Sequence, residues 1–248
     1  MEWHSEKIIV GIRHKRLFRV SDLLGEIIDK LAPLQGYGPF PGNCFELITR
    51  PDNTSVVLHD KEDTISVNCN IDGVILTCDM EAEPKVTIDD IKGMFLQIVN
   101  MVLPITMGSE SINRIGIVNQ FIFKDYKNAA ETIYKNLLNL DLKGVPDNLS
   151  LRFALKKPTT EAIIDPEEKK DYKNVIIQVN SYRRSEEGEP KPPDEIKLIV
   201  DYQIYYEPER IFKNVLLENH FNETIEYWDM HLKKSAFSLL DEVKRIHG

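Results

Sequence analysis

The chain has 248 residues, of which 42% are hydrophobic, and a formal net charge of −9. This length fits one large domain or two of ordinary size, and the acidic balance argues against a protein that is basic over its whole surface. No run of about 18 apolar residues occurs, so we expect no membrane partner. The charged start of the sequence lacks the apolar core of a secretory signal, and we expect a cytoplasmic protein.

The first half predicts a strand, a helix, four strands and a second helix. Lys7–Phe18 alternates and is β-branched, which predicts the first strand, and Ser21-Asp22 begins a helix that Pro33 ends. Thr87 is the predicted N-cap of the second helix, because its hydroxyl can accept a hydrogen bond from a free backbone N–H. We expect Pro104–Ser111 to link the two halves. The four strands are Cys44–Thr49, Thr54–His59, Thr64–Asn70 and Gly73–Cys78.

The second half repeats this order of elements. Ile112–Phe123 predicts a strand and Tyr126–Leu140 a helix. We expect Pro208 to start the last helical region, with a break near Asn219–Asn222 and a long amphipathic C-terminal helix beyond it. Four strands are predicted in between, at Ser150–Lys156, Glu161–Ile164, Asn174–Tyr182 and Glu195–Tyr206. The apolar stripe of the last helix consists of Phe221, Ile225, Trp228, Leu232, Leu239, Val243 and Ile246.

The two halves share a pattern at a constant separation. Val10-Gly11-Ile12 matches Ile115-Gly116-Ile117, and the two glycines are 105 positions apart. At the same separation, each half carries a glutamate four residues before a lysine, the order that favours an ion pair on a helix. These pairs are Glu26 with Lys30 and Glu131 with Lys135. The pattern indicates an internal duplication, with a chance similarity between two strand–helix units as the alternative.

These elements predict the α+β class. We expect two tandem β-α-β-β-β-β-α repeats, residues 1–107 and 108–248, forming one or more antiparallel sheets covered by helices on one face. The repeats form either two domains or one pseudo-twofold domain. A long C-terminal helix completes the predicted fold.

Two resemblances to known proteins follow from these elements. The element order resembles the TATA-binding-protein-like fold, in which the same repeat occurs twice and forms a saddle. Arg114–Asn119 (RIGIVN), the tyrosine-rich Asp201–Glu207 (DYQIYYE) and the long last helix are similar to a sporadically distributed, uncharacterised prokaryotic family with a central RIGLRY-N strand. Val118 stands where that family has an aromatic residue, and the asparagine is shifted. The second resemblance implies an accessory protein, for example of a defence or toxin-regulating locus, and carries over no catalytic residue.

The sequence contains no motif that predicts catalysis or metal binding. The six histidines show neither HExxH nor HxxxH spacing, and no nucleotide-binding glycine pattern is present. Pro51-Asp52 with Glu83-Pro84-Lys85 resembles a nuclease metal site, but Pro84 interrupts the strand which that motif requires. Cys44, Cys69 and Cys78 form no CxxC pair and are predicted to be buried, reduced thiols. We predict no enzyme activity, cofactor or metal site, with a metal-dependent nuclease as the remaining enzymatic alternative.

The favoured function is a non-enzymatic module that binds another protein, as an accessory or regulatory subunit. The charged, Pro-rich segment Arg184–Asp194 is one candidate contact. If the last helix covers the sheet, it is structural, whereas an exposed stripe would mark an interface. The candidate partner-binding residues are Trp228, Leu232, Leu239, Tyr202, Tyr205, Arg183 and Arg184.

The alternative function is nucleic-acid binding by an open sheet face. Aromatic side chains on such a face can stack on bases, and arginines can contact phosphates. The candidates on strands are Phe45, Phe121, Phe153, Tyr202 and Tyr205, with Arg114, Arg152, Arg183 and Arg184 near them.

Overall fold

A computed structural model of the chain describes residues 4–34, 46–49, 55–60, 64–82, 86–107, 111–123, 129–137, 148–158, 171–182 and 195–232. Within these ranges nine strands form one sheet, and every pair of neighbouring strands is antiparallel. The predicted α+β class with an antiparallel sheet is therefore confirmed. The strands are β1 (His4–His14), β2 (Glu46–Thr49), β3 (Ser55–His59), β4 (Ile65–Asn70), β5 (Gly73–Asp79), β6 (Ser111–Phe123), β7 (Ser150–Pro158), β8 (Tyr172–Tyr182) and β9 (Glu195–Ile211). The helices are α1 (Leu24–Leu31), α2 (Ile88–Met107), α3 (Ala129–Leu137) and α4 (Asn214–Leu232), and short 3-10 turns at Phe18–Leu23 and Ala32–Leu34 flank α1.

The sheet is arranged around its central pair of strands, β1 and β6. The order across the sheet is β2-β3-β4-β5-β1-β6-β9-β8-β7. Gly11 lies directly opposite Gly116 in the β1–β6 pair. Counting outward from this pair, β5, β4 and β3 follow on one side, and β9, β8 and β7 follow in the corresponding places on the other.

The core lies between the helices and one face of the sheet. Alternate residues of the central strands, such as Val10 and Ile117, are fully buried, while their neighbours in sequence are not. Period-two burial is what a sheet with one covered face produces. The four helices contribute their own buried residues to the same cluster, including Ile27 of α1, Phe95 of α2 and Ile133 of α3. Each fully buried aliphatic side chain stabilises the fold by about 1.5–3 kcal/mol.

The last helix belongs to this core. The indole of Trp228 is 5% exposed and meets the ring of Phe121 edge-on, with 5.9 Å between the ring centroids. Tyr202 of β9 packs against His220 and Tyr227 of the same helix. In its described part, α4 therefore covers the protein's own sheet, which is the structural one of its two predicted roles.

Two predicted helix features are confirmed: the N-cap at Thr87 and the ion pair of Glu131 with Lys135. Thr87 Oγ1 accepts a hydrogen bond from the backbone N–H of Asp90 at 3.1 Å, and the Asp90 carboxylate accepts one from the N–H of Thr87 at 2.9 Å. This reciprocal arrangement caps α2. On α3 the predicted pair of Glu131 and Lys135 forms, with 2.6 Å between Oε1 and Nζ.

Several predicted boundaries are wrong. The first strand ends at His14, and the helix begins with the 3-10 turn before α1. The segment Pro104–Ser111 is only partly a linker, because α2 continues through Pro104 to Met107. Val102 and Leu103, near the end of this helix, are buried in the core. Pro208 lies inside β9, since the end of that strand pairs with Ser111 and Ile112 of β6.

The predicted break at Asn219–Asn222 is also wrong. The helix α4 continues through this segment without interruption, and His220 and Phe221 within it are buried. The predicted strand Glu161–Ile164, the loop Arg184–Asp194 and the stripe from Leu239 onward lie outside the described residues.

Candidate functional site

The face of the sheet opposite the helices is mainly polar, and we call its central part the open face. Its apolar members, among them Ile9, Ile75 and Val118, are partly exposed and do not belong to the core cluster. Farther along the same face Ile122 and Glu195 are buried, so the exposed part ends before them. The open face comprises Lys7, Ile9, Gly11 and Arg13 of β1; Gln120, Val118, Gly116 and Arg114 of β6; Ile199, Asp201, Gln203 and Tyr205 of β9; Gln178, Ile176, Asn174 and Tyr172 of β8; Arg152, Ala154 and Lys156 of β7; Asp79, Thr77, Ile75 and Gly73 of β5; Ser66, Asn68 and Asn70 of β4; and Ser55 and Val57 of β3.

The open face has more basic than acidic side chains. The basic ones are Lys7, Arg13, Arg114, Arg152 and Lys156, and the acidic ones are Asp79 and Asp201. Burial raises the pKa of the Asp201 carboxyl group, while the charges of Arg114 and Arg152 oppose that shift. The other acidic side chains of the described residues lie outside this set. The face therefore offers a local positive potential.

Two stacked tyrosines lie within this basic surface. The rings of Tyr172 and Tyr205 are 4.6 Å apart at an interplanar angle of 6°. Lys156 Nζ lies 3.9 Å from the centroid of the Tyr172 ring, and the Arg114 guanidinium lies 5.6 Å from that of Tyr205. These cation–π distances keep two positive charges on the aromatic pair. The group joins π-surfaces to cations, the combination that single-stranded nucleic-acid sites use.

A chain of hydrogen bonds continues from the tyrosines across β9. Arg114 Nη1 donates to the Tyr205 hydroxyl at 3.2 Å, and that hydroxyl donates to Gln203 Oε1 at 2.8 Å. Asn174 Nδ2 donates to the same oxygen at 3.3 Å, and Gln203 Nε2 donates to the Asp201 carboxylate. Asp201 Oδ1 is buried and has no hydrogen-bond partner within the described residues. The network fixes these side chains, because each donor restricts the orientation of its acceptor.

The glycines at the centre divide the open face into two unlike ends. A Cβ atom at Gly116 would lie 3.6 Å from Gln203 Cγ, and one at Gly11 would lie 3.4 Å from Ile75 Cγ1, both ordinary contacts. The sheet surface therefore lacks side chains at these two positions, although a small side chain would fit. Glycine inside a strand often marks the close approach of a ligand. On one side of the glycines Arg13 and Arg114 stand opposite each other, and on the other side Ile9 and Val118 do.

A pocket of about 310 Å³ opens at the arginine end. Gly11 and Gly73 are among the residues that line it. Ser55 is 3% exposed, and its hydroxyl has no hydrogen-bond partner within the described residues. The polar side chains of the lining are Arg13, Arg114, Ser55, Asn68, Asn70 and Asp72.

The residues predicted to bind a partner lie in different parts of the structure. Trp228 and Tyr202 are buried in the core, so they offer no free surface and their assignment is corrected on that physical ground. Tyr205 lies on the open face. Leu232 is the last residue of α4, and nothing is described of its side chain. The remaining three, Leu239, Arg183 and Arg184, lie outside the described residues.

The residues considered for nucleic-acid binding are also divided between the two faces. Phe121 and Phe153 pack with the core, whereas Arg114 and Arg152 lie on the open face with Tyr205. Phe45 lies outside the described residues. Sequence reasoning missed Arg13, Tyr172 and Lys156. The alternation of polar residues along each strand could have assigned these three residues to one face, but the side chains they meet depend on strand register, which the sequence did not supply.

The described residues hold no group of three or more His, Cys, Asp or Glu side chains placed to bind a metal. Both nuclease segments, Pro51-Asp52 and Glu83-Pro84-Lys85, lie outside that description. Cys69 and Cys78 are free thiols in the core, and burial raises the pKa of each to about 12. Among the described helices, none is long and apolar enough to cross a membrane.

The fold and this face define an α+β protein with one large antiparallel sheet and a basic, polar sheet surface. No protein-family model matches the chain, and a comparison with curated proteins finds no match either.

Proposed function

We propose that this chain is a non-enzymatic binding module, and that its open face binds single-stranded nucleic acid. One observation carries the proposal: five basic side chains and a stacked tyrosine pair share one exposed sheet face of an acidic protein. Cations neutralise phosphates. Lys156 lies over the Tyr172 ring and Arg114 over the Tyr205 ring, so a base would stack on either tyrosine in place of one of these cations, and each such contact contributes about 1–3 kcal/mol.

The amides of the open face support the same proposal. Asn68 and Asn174 are partly exposed on this face, and side-chain amides can contact base edges. Arg114 and Tyr205 hold Gln203 in place through the hydrogen bonds described above, so part of this surface is ordered before a ligand arrives. A pre-ordered surface loses less conformational entropy on binding.

A pseudo-twofold architecture is part of this proposal. The corresponding order of strands on the two sides of the β1–β6 pair, with Gly11 opposite Gly116, supports a duplication that lays two repeats edge to edge. This arrangement is similar to the TATA-binding-protein-like saddle.

A protein partner remains the second candidate, favoured by a different observation. Ile9, Val118 and Ile176 are level with one another on the open face and partly exposed, with Asp201 between the last two. An apolar row among polar residues suits the centre of a protein interface. The function is then that of an accessory or regulatory subunit, and its binding would depend only weakly on salt.

The experiment that tests the proposal is fluorescence anisotropy with a labelled oligothymidylate at low and physiological ionic strength. The double variant Arg152→Gln/Lys156→Gln should bind about tenfold more weakly, and its affinity should fall less steeply with salt, because one or two phosphate contacts are lost. Lys135→Gln on α3 is the control and is compared with Arg152→Gln alone, so that each variant loses one exposed cation, from the helix side and from the open face respectively.

Two results would contradict nucleic-acid binding. One is the absence of binding by the unmodified chain at low salt. The other is an equal loss of affinity in Lys135→Gln and Arg152→Gln, which would show that only the overall charge of the chain matters. Either result leaves the protein-partner candidate.

A further inference from the structure

We propose that the pocket lined by Gly11 and Gly73 binds a phosphate group. The inference deepens the proposed function, because the phosphate would belong to a nucleic acid or a nucleotide. It has its own geometric basis at the arginine end of the open face, and only Arg114 is shared with the stacked tyrosines.

The first reason is the placement of two arginines. Arg13 and Arg114 stand directly opposite each other on the two central strands. Like charges in such cross-strand pairs destabilise a sheet. A bound anion would remove this repulsion, and guanidinium groups are the donors that match phosphate oxygens best.

The second reason is the buried hydroxyl of Ser55. It is almost completely removed from solvent and has no hydrogen-bond partner within the described residues, although it lines the pocket. An unpartnered buried hydroxyl is unfavourable. A phosphate oxygen in the pocket would accept the hydrogen bond that this hydroxyl otherwise lacks.

The third reason is the orientation of the asparagines. Asn70 Oδ1 accepts hydrogen bonds from the backbone N–H groups of Asp72 and Gly73 at 2.9 and 3.0 Å. Asn70 Nδ2 donates to Asn68 Oδ1 at 3.3 Å. Since the oxygen of Asn68 is used in this way, its NH₂ group remains as a donor. The pocket thus combines two guanidinium groups, an amide NH₂ and a hydroxyl.

The one acidic residue of the lining is held by a neighbouring cation. Arg16 Nε donates to Asp72 Oδ1 at 3.0 Å, and Arg16 lowers the pKa of that carboxyl group. The Asp72 charge is compensated by Arg16, which leaves the charges of Arg13 and Arg114 in excess. The pocket is also small enough, at about 310 Å³, to suit a phosphate with part of a nucleotide rather than a large ligand.

The probes for the test are inorganic phosphate, a nucleoside 5′-monophosphate and an oligothymidylate without terminal phosphate, each titrated by calorimetry into the full-length chain. Arg13→Gln should weaken the binding of inorganic phosphate by about tenfold or more, since one charge-assisted contact is lost. Arg210→Gln is the matched control, because it removes an exposed arginine that neither lines the pocket nor belongs to the open face. Ser55→Ala is the second variant and should also weaken phosphate binding, and circular dichroism checks that each variant is folded.

The proposed phosphate site is contradicted if inorganic phosphate does not bind, or if Arg13→Gln and Arg210→Gln weaken phosphate binding equally. Binding of the monophosphate but not of the oligothymidylate would keep the pocket, assign it to a free nucleotide and reject the proposed function. Binding of the oligothymidylate that is sensitive to Arg152→Gln, without any binding of phosphate, would keep the proposed function and reject the pocket.

Discussion

At the scale of single residues, His220 links the stability of the fold to pH. Its side chain is 2% exposed, and its Nε2–H donates to the carbonyl oxygen of Tyr202 at 3.0 Å. Burial lowers the pKa of His220 to about 4, whereas an unfolded histidine titrates near 6.5. Between these pH values the unfolded chain binds a proton that the folded chain does not. The stability contributed by neutral His220 is therefore complete above about pH 6.5 and is lost as the pH falls towards 4.

We expect acidification from pH 7 to pH 4 to reduce the free energy of unfolding by about 3 kcal/mol through His220 alone. His220→Gln keeps an amide donor but cannot titrate in this range, so its stability should depend less steeply on pH. Urea unfolding of both proteins across this range measures the difference. Burial also lowers the pKa of His14, but His14 is present in both proteins and its effect cancels. Equal pH dependence in the two proteins would contradict this role of His220.

At the scale of elements, α4 is held to the sheet by its buried aromatic residues. Trp228→Ala should lower the free energy of unfolding by about 3–5 kcal/mol, because it leaves a large cavity against Phe121. Trp228→Phe should cost less, since it retains an aromatic ring. The control is Met230→Ala on the same helix, where the side chain is 62% exposed and the expected change is below about 0.5 kcal/mol. Urea titrations of the three variants test the point, and similar small effects at Trp228 and Met230 would indicate that α4 does not stabilise the sheet.

At the scale of the whole molecule, the β1–β6 ladder joins the two halves of the chain. Paired residues run from His4 with Ile122 to His14 with Ile112, and α2 also contacts α4. We therefore expect both halves to unfold in one cooperative transition. The variant Trp3→Phe leaves Trp228 as the single tryptophan, so fluorescence reports on the second half while circular dichroism reports on both. Coincident urea transitions are expected, and separate transitions would favour two independent domains, residues 1–107 and 108–248.

The positions of strands and helices along the chain could be predicted more successfully than the side chains that become neighbours in the fold. Alternation located the central strands within a few residues, and Thr87 marked its helix start correctly, because both signals are local. The placement of Tyr172 beside Tyr205 could not be predicted in this way, because it depends on the register between β8 and β9. The sequence between these two strands contains no recognisable turn motif that would fix this register. Trp228 belongs to an amphipathic stripe whose pattern fits either a core or an interface, and only packing against Phe121 distinguishes the two.

The central strands carry arginines on one side of the Gly11–Gly116 pair and apolar residues on the other. This difference matters for any ligand whose two ends are chemically distinct. Under a twofold axis at the Gly11–Gly116 pair, Arg13 would correspond to Val118 and Arg114 to Ile9. Under that proposed axis, the two halves would therefore differ at these positions. A nucleic-acid strand has distinct 5′ and 3′ ends, and the two ways of laying it across the sheet would differ in energy by its contacts with these two arginines. The polarity of the bound strand would then be set by which end of the central strands carries the arginines.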